Sequence, residues 1–311
     1  MAIISRTDII TMKKIKLLID TDMGADVDDS LALYVATKYS EVEIVGITTV
    51  FGNVKERACL VNKLLDYCGL SIPVYCGSCN TLEKTRSEDA HTMFYEEDLK
   101  KFSSSIKDGG IDFIIDCARK YAEDLVILAI GPLTNVALAI QKEPQIMAKV
   151  GKIVLMGGTF YSPTPEWNIF CDPKSAEIVF GLGSKVYCVG TDVTRKTKLP
   201  FNHQEKVASY LNEDSARGFI AKHAKIWLDT RPVGITLHDP LAFYTIIRPE
   251  WIHFKKQRVA VESKGEAAYG MTINCSLSNL YSKQKGNEIF VADYVDECAV
   301  IDELMSVLSS D

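Results

Sequence analysis

Short apolar runs alternate with amphipathic runs along almost the whole chain. The apolar runs have the length and the β-branched residues of buried strands, and the runs between them repeat apolar residues at helical spacing. This alternation predicts an α/β fold with a single doubly wound, mostly parallel sheet and helices on both faces. Strands are expected at residues 16–19, 41–49, 71–75, 125–130, 152–156, 185–189, 258–262 and 288–291.

The sequence also predicts how these elements are grouped. No internal repeat, low-complexity tract or Pro/Gly-rich linker divides the 311 residues, so we predict a single domain, 1–311, in which 1–14 form a flexible tail. Residues 80–108 are polar and irregular, and we interpret them as a surface loop that forms a lid or a rim of a site. Helices are expected at residues 30–39, 55–68, 111–121 and 205–228, before 140, after 172 and 238, and at 294–308.

Composition argues against several classes of protein. The net charge of -6 disfavours nucleic acid or an anionic membrane surface as a partner. No run reaches the roughly 18 apolar residues of a membrane span, and residues 1–14 lack a secretory signal, so we expect a cytoplasmic protein. The nine cysteines are typical of reduced thiols rather than a disulfide framework. Cys76 and Cys79 have CxxC spacing, but no second pair follows at zinc-like spacing, so we interpret them as structural.

The most informative stretch lies between the first predicted strand and the first predicted helix. It contains five carboxylates within ten residues, and carboxylates packed so closely repel one another unless a cation or bound hydroxyl groups compensate them. One or two could act as helix caps, but five at the carboxyl end of a strand predict a divalent-cation or ribose site. These residues are Asp20, Asp22, Asp26, Asp28 and Asp29.

Other polar residues also follow predicted strands, and a parallel sheet would gather them at the same edge. They are Asn53, Thr134, Glu166, Asn168 and Asp239. An all-oxygen set of carboxylates with a loop carbonyl suits a hard cation such as calcium, whereas zinc would favour His or Cys. The carboxylates that we expect in this set are Asp22, Asp28, Asp29 and Asp239.

Seven motifs, taken in chain order, resemble those of the inosine–uridine-preferring nucleoside hydrolase family. They cover about residues 15–300 and consist of the Asp20–Leu33 stretch, Phe51-Gly52-Asn53-Val54, Ile130-Gly131-Pro132-Leu133-Thr134-Asn135, Met156-Gly157-Gly158, Glu166-Trp167-Asn168 with Asp172-Pro173, Asp192-Val193-Thr194, and His238-Asp239-Pro240-Leu241-Ala242. The resemblance implies a calcium-dependent enzyme of purine or pyrimidine nucleoside catabolism. It would hydrolyse the N-glycosidic bond of a ribonucleoside to ribose and free base, as a homo-dimer or homo-tetramer with a small-molecule substrate.

The resemblance also implies a role for each matched residue. Calcium would be held by Asp22, Asp29, the Thr134 carbonyl and Asp239, and ribose hydroxyls would be bound by Asp28, Asn53, Glu166 and Asn168. Asp22, which would touch both metal and water, is the expected general base. His238 is either the general acid for the departing base or a residue that only orients Asp239. Trp167 packs on the sugar or base, or belongs to the core, and Asp20 is expected to anchor the loop.

Three features depart from the family pattern. Asp26-Val27 is inserted between the first carboxylate and the Asp-Asp pair, which leaves open whether Asp26 joins the site or caps the helix. The segment 159–165 is short and lacks the family's asparagine, so the contact to the ribose 5′-hydroxyl is open. The family's His-Gly element is not evident in 80–108, where only His91 lies nearby, and this leaves base specificity open.

Two other functions fit part of the pattern. The start Leu18-Ile19-Asp20-Thr21-Asp22 also resembles haloacid-dehalogenase-like phosphatases, in which Asp20 would be the nucleophile and magnesium the metal. The later Gly-Pro-Leu-Thr-Asn and His-Asp-Pro elements have no role in that family. A non-catalytic ribose- or nucleoside-binding protein would need the sugar contacts but no base, and the presence of both Asp22 and His238 argues against it.

Overall fold

The computed structural model describes residues 13–83, 99–231, 233–277 and 286–310. Within these ranges ten strands form one sheet. The strands are β1 (Ile15–Thr21), β2 (Val42–Thr49), β3 (Val74–Cys76), β4 (Ile106–Asp108), β5 (Leu125–Ala129), β6 (Lys152–Met156), β7 (Val186–Val189), β8 (Ile252–Val261), β9 (Thr272–Asn274) and β10 (Asn287–Val295).

The strand order across the sheet is β4-β3-β2-β1-β5-β6-β7-β10-β8-β9. All neighbours from β4 to β10 are parallel, and β8 and β9 extend the sheet as antiparallel strands. The mostly parallel sheet predicted from the sequence is therefore confirmed. Because the carboxyl ends of the parallel strands share one edge, the loops that follow β1, β2, β5, β6 and β7 meet there.

Helices cover both faces of the sheet, as the alternation predicts. Leu17 and Ile19 of β1 belong to one buried apolar cluster and Leu18 to the other, as the two-residue period of a strand requires. The helices are α1 (Asp28–Ala36), α2 (Val54–Tyr67), α3 (Gly110–Tyr121), α4 (Thr134–Lys142), α5 (Pro144–Met147), α6 (Trp167–Cys171), α7 (Pro173–Phe180), α8 (Thr191–Thr194), α9 (Phe201–Ala208), α10 (Ala216–Thr230), α11 (His238–Ile247) and α12 (Glu297–Ser309).

Several element boundaries differ from the prediction. The irregular segment 80–108 contains a 3-10 turn at Leu99–Phe102 and ends in β4, while residues 84–98, including His91, lie outside the described residues. The antiparallel strand β9 was not expected. The predicted helix at 205–228 is two helices, because Ser215 caps the start of α10 by accepting from the Gly218 N–H at 3.2 Å. The last helix begins at Glu297 rather than 294, since β10 continues to Val295.

The nine cysteines occupy both buried and exposed positions. No disulfide joins any two cysteines in the described part of the chain; Cys76 is buried and Cys79 is exposed. In the described part of the chain, no helix combines the length and the apolar character needed to span a bilayer.

Candidate active site

A cavity of about 1020 Å³ lies at the carboxyl edge of the sheet. Eight of the ten residues that the sequence assigns to the site contribute to its wall: Asp22, Asp28, Asp29, Glu166, Trp167, Asn168, His238 and Asp239. Asp26 lines it as well. The cavity therefore unites residues that lie more than 200 positions apart in the chain.

The most acidic part of the cavity is formed by the N-termini of two helices. Asp28 and Asp29 begin α1, and Asp239 is the second residue of α11. One carboxylate oxygen from each of the three lies within 4.8 Å of those of the other two, and all three side chains are buried. The Asp239 N–H donates to Asp28 Oδ2 at 3.3 Å, which ties the two helix ends together. Both helix dipoles favour negative charge at this position.

Electrostatics make this cluster a good site for a hard cation. Burial raises the pKa of Asp28, Asp29 and Asp239 well above the ordinary range, and repulsion between neighbouring carboxylates raises it further. None of the three forms an ion pair within the described residues. Three buried, closely spaced oxygen donors fit a divalent ion that prefers oxygen ligands. We call Asp22, Asp28, Asp29 and Asp239 the acidic floor.

The main chain at the end of β1 fixes the position of Asp22 within the acidic floor. Thr21, the last residue of β1, donates its hydroxyl to Asp29 and accepts from the Met23 N–H at 3.0 Å. A Cβ at Gly131 would lie 2.9 Å from Asp22 Oδ1, so the loop after β5 can approach only as glycine. Burial raises the pKa of Asp22, and the nearby Arg57 guanidinium acts in the opposite direction.

The two remaining carboxylates of the acidic stretch have different surroundings. Asp20 is fully buried, accepts from Thr48 Oγ1 at 2.5 Å and from Asn135 Nδ2 at 2.7 Å, and does not line the cavity. Its position is that of a loop anchor. Asp26 lines the cavity and accepts from the Val27 N–H, and burial, with smaller contributions from Asp29 and Asp22, raises its pKa to about 7. Asp26 thus lies on the cavity wall and also accepts from the main chain at the start of α1, so both roles that the insertion left open stay predictions.

Glu166 and Asn168 form the wall at the start of α6. The Glu166 carboxylate accepts from the N–H groups of Gly158 at 3.0 Å, Asn168 at 2.8 Å and Ile169 at 3.1 Å. The Asn168 amide donates to the carbonyls at the ends of β5 and β6, at 3.2 Å and 3.1 Å. Both side chains are therefore fixed before any ligand arrives. Trp167 between them is 49% exposed and lies on the cavity wall.

His238 begins α11 and is half-buried beside the floor. Its Nδ1 lies 2.7 Å from the Thr194 hydroxyl. Burial, with a smaller contribution from the positive charge of Arg195, lowers its pKa to about 4. At neutral pH the ring is therefore a neutral imidazole that forms hydrogen bonds rather than a charged acid.

The structure does not bring two of the predicted residues to the cavity wall. Asn53 is exposed and caps α2, where its Oδ1 accepts from the Glu56 N–H at 3.3 Å and its Nδ2 donates to Glu56 Oε2 at 2.8 Å. Thr134 begins α4, and its hydroxyl donates to Asp172 Oδ2 at 2.6 Å. The predicted sugar contact of Asn53 and metal contact of the Thr134 carbonyl stay predictions.

Sequence reasoning missed two groups of residues at this cavity. Arg57 lies on the buried face of α2. Its spacing is the sequence signal that could have identified it as buried, because it stands three positions after Val54 and four before Val61, within an apolar helical stripe. The second group, which we call the basic rim, consists of Arg195, Lys198 and Arg231 together with Trp227. Its members come from segments that only the tertiary fold brings together, and no local pattern marks them.

The comparisons with known proteins agree with this geometry. The model of the family described as inosine-uridine preferring nucleoside hydrolase matches residues 17–302. Uridine nucleosidase 1 of Arabidopsis thaliana is 34% identical over 270 residues, which is 80% of this chain and 79% of the relative. Among solved structures, a purine-preferring ribonucleoside hydrolase from Gardnerella vaginalis is 30% identical with a TM-score of 0.76, covering 94% of this chain and 98% of the other.

A plant nucleoside hydrolase structure shows the same fold, with a TM-score of 0.81 at 24% identity, over 96% of this chain and all of the other (100%). The family match spans nearly the whole chain, and the acidic floor lies where the matched motifs meet. The chain therefore belongs to the inosine-uridine preferring nucleoside hydrolase family and is an N-glycosyl hydrolase that acts on nucleosides.

Proposed function

We propose that this enzyme carries out calcium-dependent hydrolysis of the N-glycosidic bond of a ribonucleoside or related ribosyl compound, releasing ribose and free base. One observation carries the proposal. The buried carboxylates of Asp28, Asp29 and Asp239 converge within 4.8 Å, on the same cavity as Asp22 and His238.

The donor set supports calcium as the metal. Carboxylate oxygens are hard ligands, and calcium accepts six to eight of them at flexible geometry. Asp22, Asp29 and Asp239, with the Thr134 carbonyl, would hold the ion. When bound, it would offset the mutual repulsion of the floor and supply positive charge for ribose hydroxyls and for an attacking water.

Asp22 is the proposed general base. It lies on the cavity wall, and its main chain is fixed by hydrogen bonds on both sides of the loop. A carboxylate in this position removes the proton from a water that attacks the anomeric carbon, a contribution of about 10²–10⁴-fold for a well-placed base.

The ribose would lie between the floor and the α6 wall. Asp28, Glu166 and Asn168 would bind its hydroxyls, and the floor carboxylates would stabilise the positive charge that develops on the ring as the glycosidic bond breaks. Because the Glu166 and Asn168 side chains are already hydrogen-bonded to the main chain, little reorganisation accompanies binding.

His238 is the proposed contact for the departing base. Its Nδ1 is engaged by Thr194, so Nε2 would be the nitrogen that contacts a ligand. As a neutral imidazole it would act through a hydrogen bond to the base nitrogen that carries the developing negative charge. Trp167 offers an aromatic surface beside the same region.

Neither of the other functions is favoured. Asp20, the nucleophile of the phosphatase alternative, is buried behind the cavity and hydrogen-bonded to Thr48 and Asn135. A non-catalytic binding protein does not account for the convergence of Asp22 and His238 on one cavity.

Base preference, assembly and location belong to the proposal as well. The relatives include a uridine nucleosidase and a purine-preferring hydrolase, so both purine and pyrimidine nucleosides are candidates. We propose a homo-dimer or homo-tetramer in the cytoplasm. Light scattering coupled to size-exclusion chromatography would measure the mass of the assembly, and a monomer would contradict this part.

The central experiment measures ribose release from a panel of purine and pyrimidine ribonucleosides. We expect release that a calcium chelator abolishes and that added calcium restores. A nitrophenyl phosphate serves as the control substrate and should not react. Phosphate release without ribose release would support the phosphatase, and binding of ribose without turnover would support the binding protein.

A further inference from the structure

Arg57 is a fully buried cation at the edge of the active site. It lies on α2, is 0% exposed, and is among the largest fully buried side chains of the described residues. A buried guanidinium is costly unless its N–H groups are hydrogen-bonded, so its partners indicate why it is placed there.

The partners of Arg57 are main-chain carbonyls of two loops. Its Nε donates to the Phe51 carbonyl at 2.7 Å, and its Nη1 donates to the carbonyls of Asp22 and Met23, the latter at 3.1 Å. Phe51 lies in the loop after β2, and the other two lie in the acidic loop after β1. One rigid, planar side chain therefore joins two neighbouring loops at the carboxyl edge of the sheet.

Both loops have backbone conformations that need such support. Phe51 has a φ of 67°, in the left-handed region that disfavours a bulky residue, and Gly24, just beyond Met23, has a φ of 101°. The acidic loop also carries the inserted Asp26-Val27 pair. Within this loop, the Asp22 carbonyl accepts one further hydrogen bond, from the Ala25 N–H at 3.2 Å.

We propose that Arg57 is a positioning residue for hydrolysis, which holds the main chain of Asp22 so that its carboxylate meets water and metal in the reactive geometry. This inference rests on the proposed function. Arg57 acts through Asp22 rather than on the substrate. Both the positive charge and the fork of donors matter, because a lysine ammonium is a single point and cannot reach carbonyls of two loops in the same way.

The test compares Arg57→Met and Arg57→Lys with a matched control, Lys63→Met. Lys63 is a second buried cation on α2; its Nζ lies 6.0 Å from the centroid of the Phe219 ring, and it is not among the residues that line the cavity. For each variant, kcat and KM are measured on the best ribonucleoside, calcium affinity is measured by titration calorimetry on chelator-treated protein, and Tm is recorded.

We expect Arg57→Met to lower kcat by about 100-fold while KM changes by less than about threefold, because misplacing a reacting group by about 1 Å has an effect of this size. Arg57→Lys should recover only part of that loss. Calcium affinity should fall by about tenfold in Arg57→Met, since Asp22 is also a proposed ligand. Lys63→Met should lower Tm yet keep kcat and calcium affinity near those of the unaltered enzyme.

The contrary results are distinct. Wild-type kcat and calcium affinity in Arg57→Met would overturn the inference. It would also be overturned if Lys63→Met, with the same Tm as Arg57→Met, lost as much kcat. Should the unaltered protein release ribose from no substrate, the proposed function fails, and calcium affinity alone then decides on Arg57. Should Arg57→Met not fold, the test rests on Arg57→Lys. Wild-type kcat and calcium affinity in that variant would then exclude the proposed role of Arg57 in joining the two loops.

Discussion

The acidic floor and the basic rim line the same cavity, and they are built in opposite ways. The floor consists of buried carboxylates at a strand end and two helix N-termini, where Asp28 accepts from the Asp239 N–H and Asp29 accepts from the Thr21 hydroxyl. The charged residues of the rim, by contrast, are exposed: Arg195, Lys198 and Arg231 form no ion pair within the described residues. A rigid floor suits chemistry, whereas an exposed rim on loops suits ligand selection.

The rim nevertheless has some order of its own. Trp227 donates its indole N–H to the Gly234 carbonyl at 2.9 Å, and the Arg231 guanidinium lies 5.3 Å from the Trp227 ring centroid. Lys198 pairs with Thr236 in an isolated antiparallel bridge. The two regions therefore differ in burial and rigidity, and substitutions in each should affect different kinetic parameters.

The largest effect is expected at the floor, from Asp22→Asn. Loss of the proposed base should lower kcat by about 10³-fold or more, while ribose-type ligands still bind, because the amide keeps the shape but accepts no proton. Single-turnover ribose release and ligand binding measured on the same preparation separate the two effects. Undiminished hydrolysis would remove Asp22 as base.

The next largest effect is expected in how the folding stability of the metal-free protein depends on pH. Burial raises the pKa of Asp26 to about 7, and those of Asp28, Asp29 and Asp239 also lie well above the ordinary value of 3.8. Between about pH 4 and pH 7 the folded state then binds more protons than the unfolded chain, so folding stability falls as pH rises.

In a chelator, Tm should therefore fall from pH 5 to pH 7.5, by on the order of 5 °C for a chain of this length. Calcium should flatten this dependence by binding the ionised carboxylates. In Asp239→Asn, calcium should give little protection, and differential scanning fluorimetry across pH would record both results. A Tm that rises with pH in the chelator would contradict the expected repulsion in the floor.

A smaller effect is expected where floor and rim meet, from His238→Ala. Loss of the hydrogen bond to the departing base should slow hydrolysis of a poor leaving group by about 10–100-fold, and an activated nitrophenyl riboside much less. Because the pKa of His238 lies at about 4, this difference should not change between pH 6 and pH 8. Equal losses on both substrates would rule out a leaving-group role.

The same comparison shows what the sequence could predict. Most of the floor is local in sequence: three of the five stretch carboxylates, Asp22, Asp28 and Asp29, were assigned to one sheet edge together with the α11 pair, because parallel strand ends must meet there. The eight expected strands are all present, and all but the one at 152–156 have shifted ends. The strands β4 and β9 were missed because each is a three-residue segment with only one apolar residue, and each depends on pairing with its neighbour, β3 or β8.

Other differences between prediction and structure concern Asn53, Arg57 and the rim, and each has its own cause. For Asn53, the cause is that one residue type serves two purposes. Asn53 fits a sugar contact by motif, but asparagine is also a preferred helix cap, and the structure has its side chain at the start of α2. The partners of Arg57 are carbonyls, which no sequence pattern distinguishes. The rim depends on how α8 and α10 are placed around the cavity, and that is decided by long-range packing.

The smallest effect is expected at the rim, from Arg231→Gln. The guanidinium is exposed, so screening by water and salt keeps its contribution small, and the substitution mainly changes how Trp227 is covered. We expect KM for nucleosides to rise by about two- to fivefold, unequally for purines and pyrimidines, with kcat unchanged. The ratio of kcat/KM values over the nucleoside panel measures this, and Arg195→Gln is the matched substitution nearer the floor. A kcat loss as large as that of Asp22→Asn would place chemistry on the rim and end the division between a reactive floor and a selective rim.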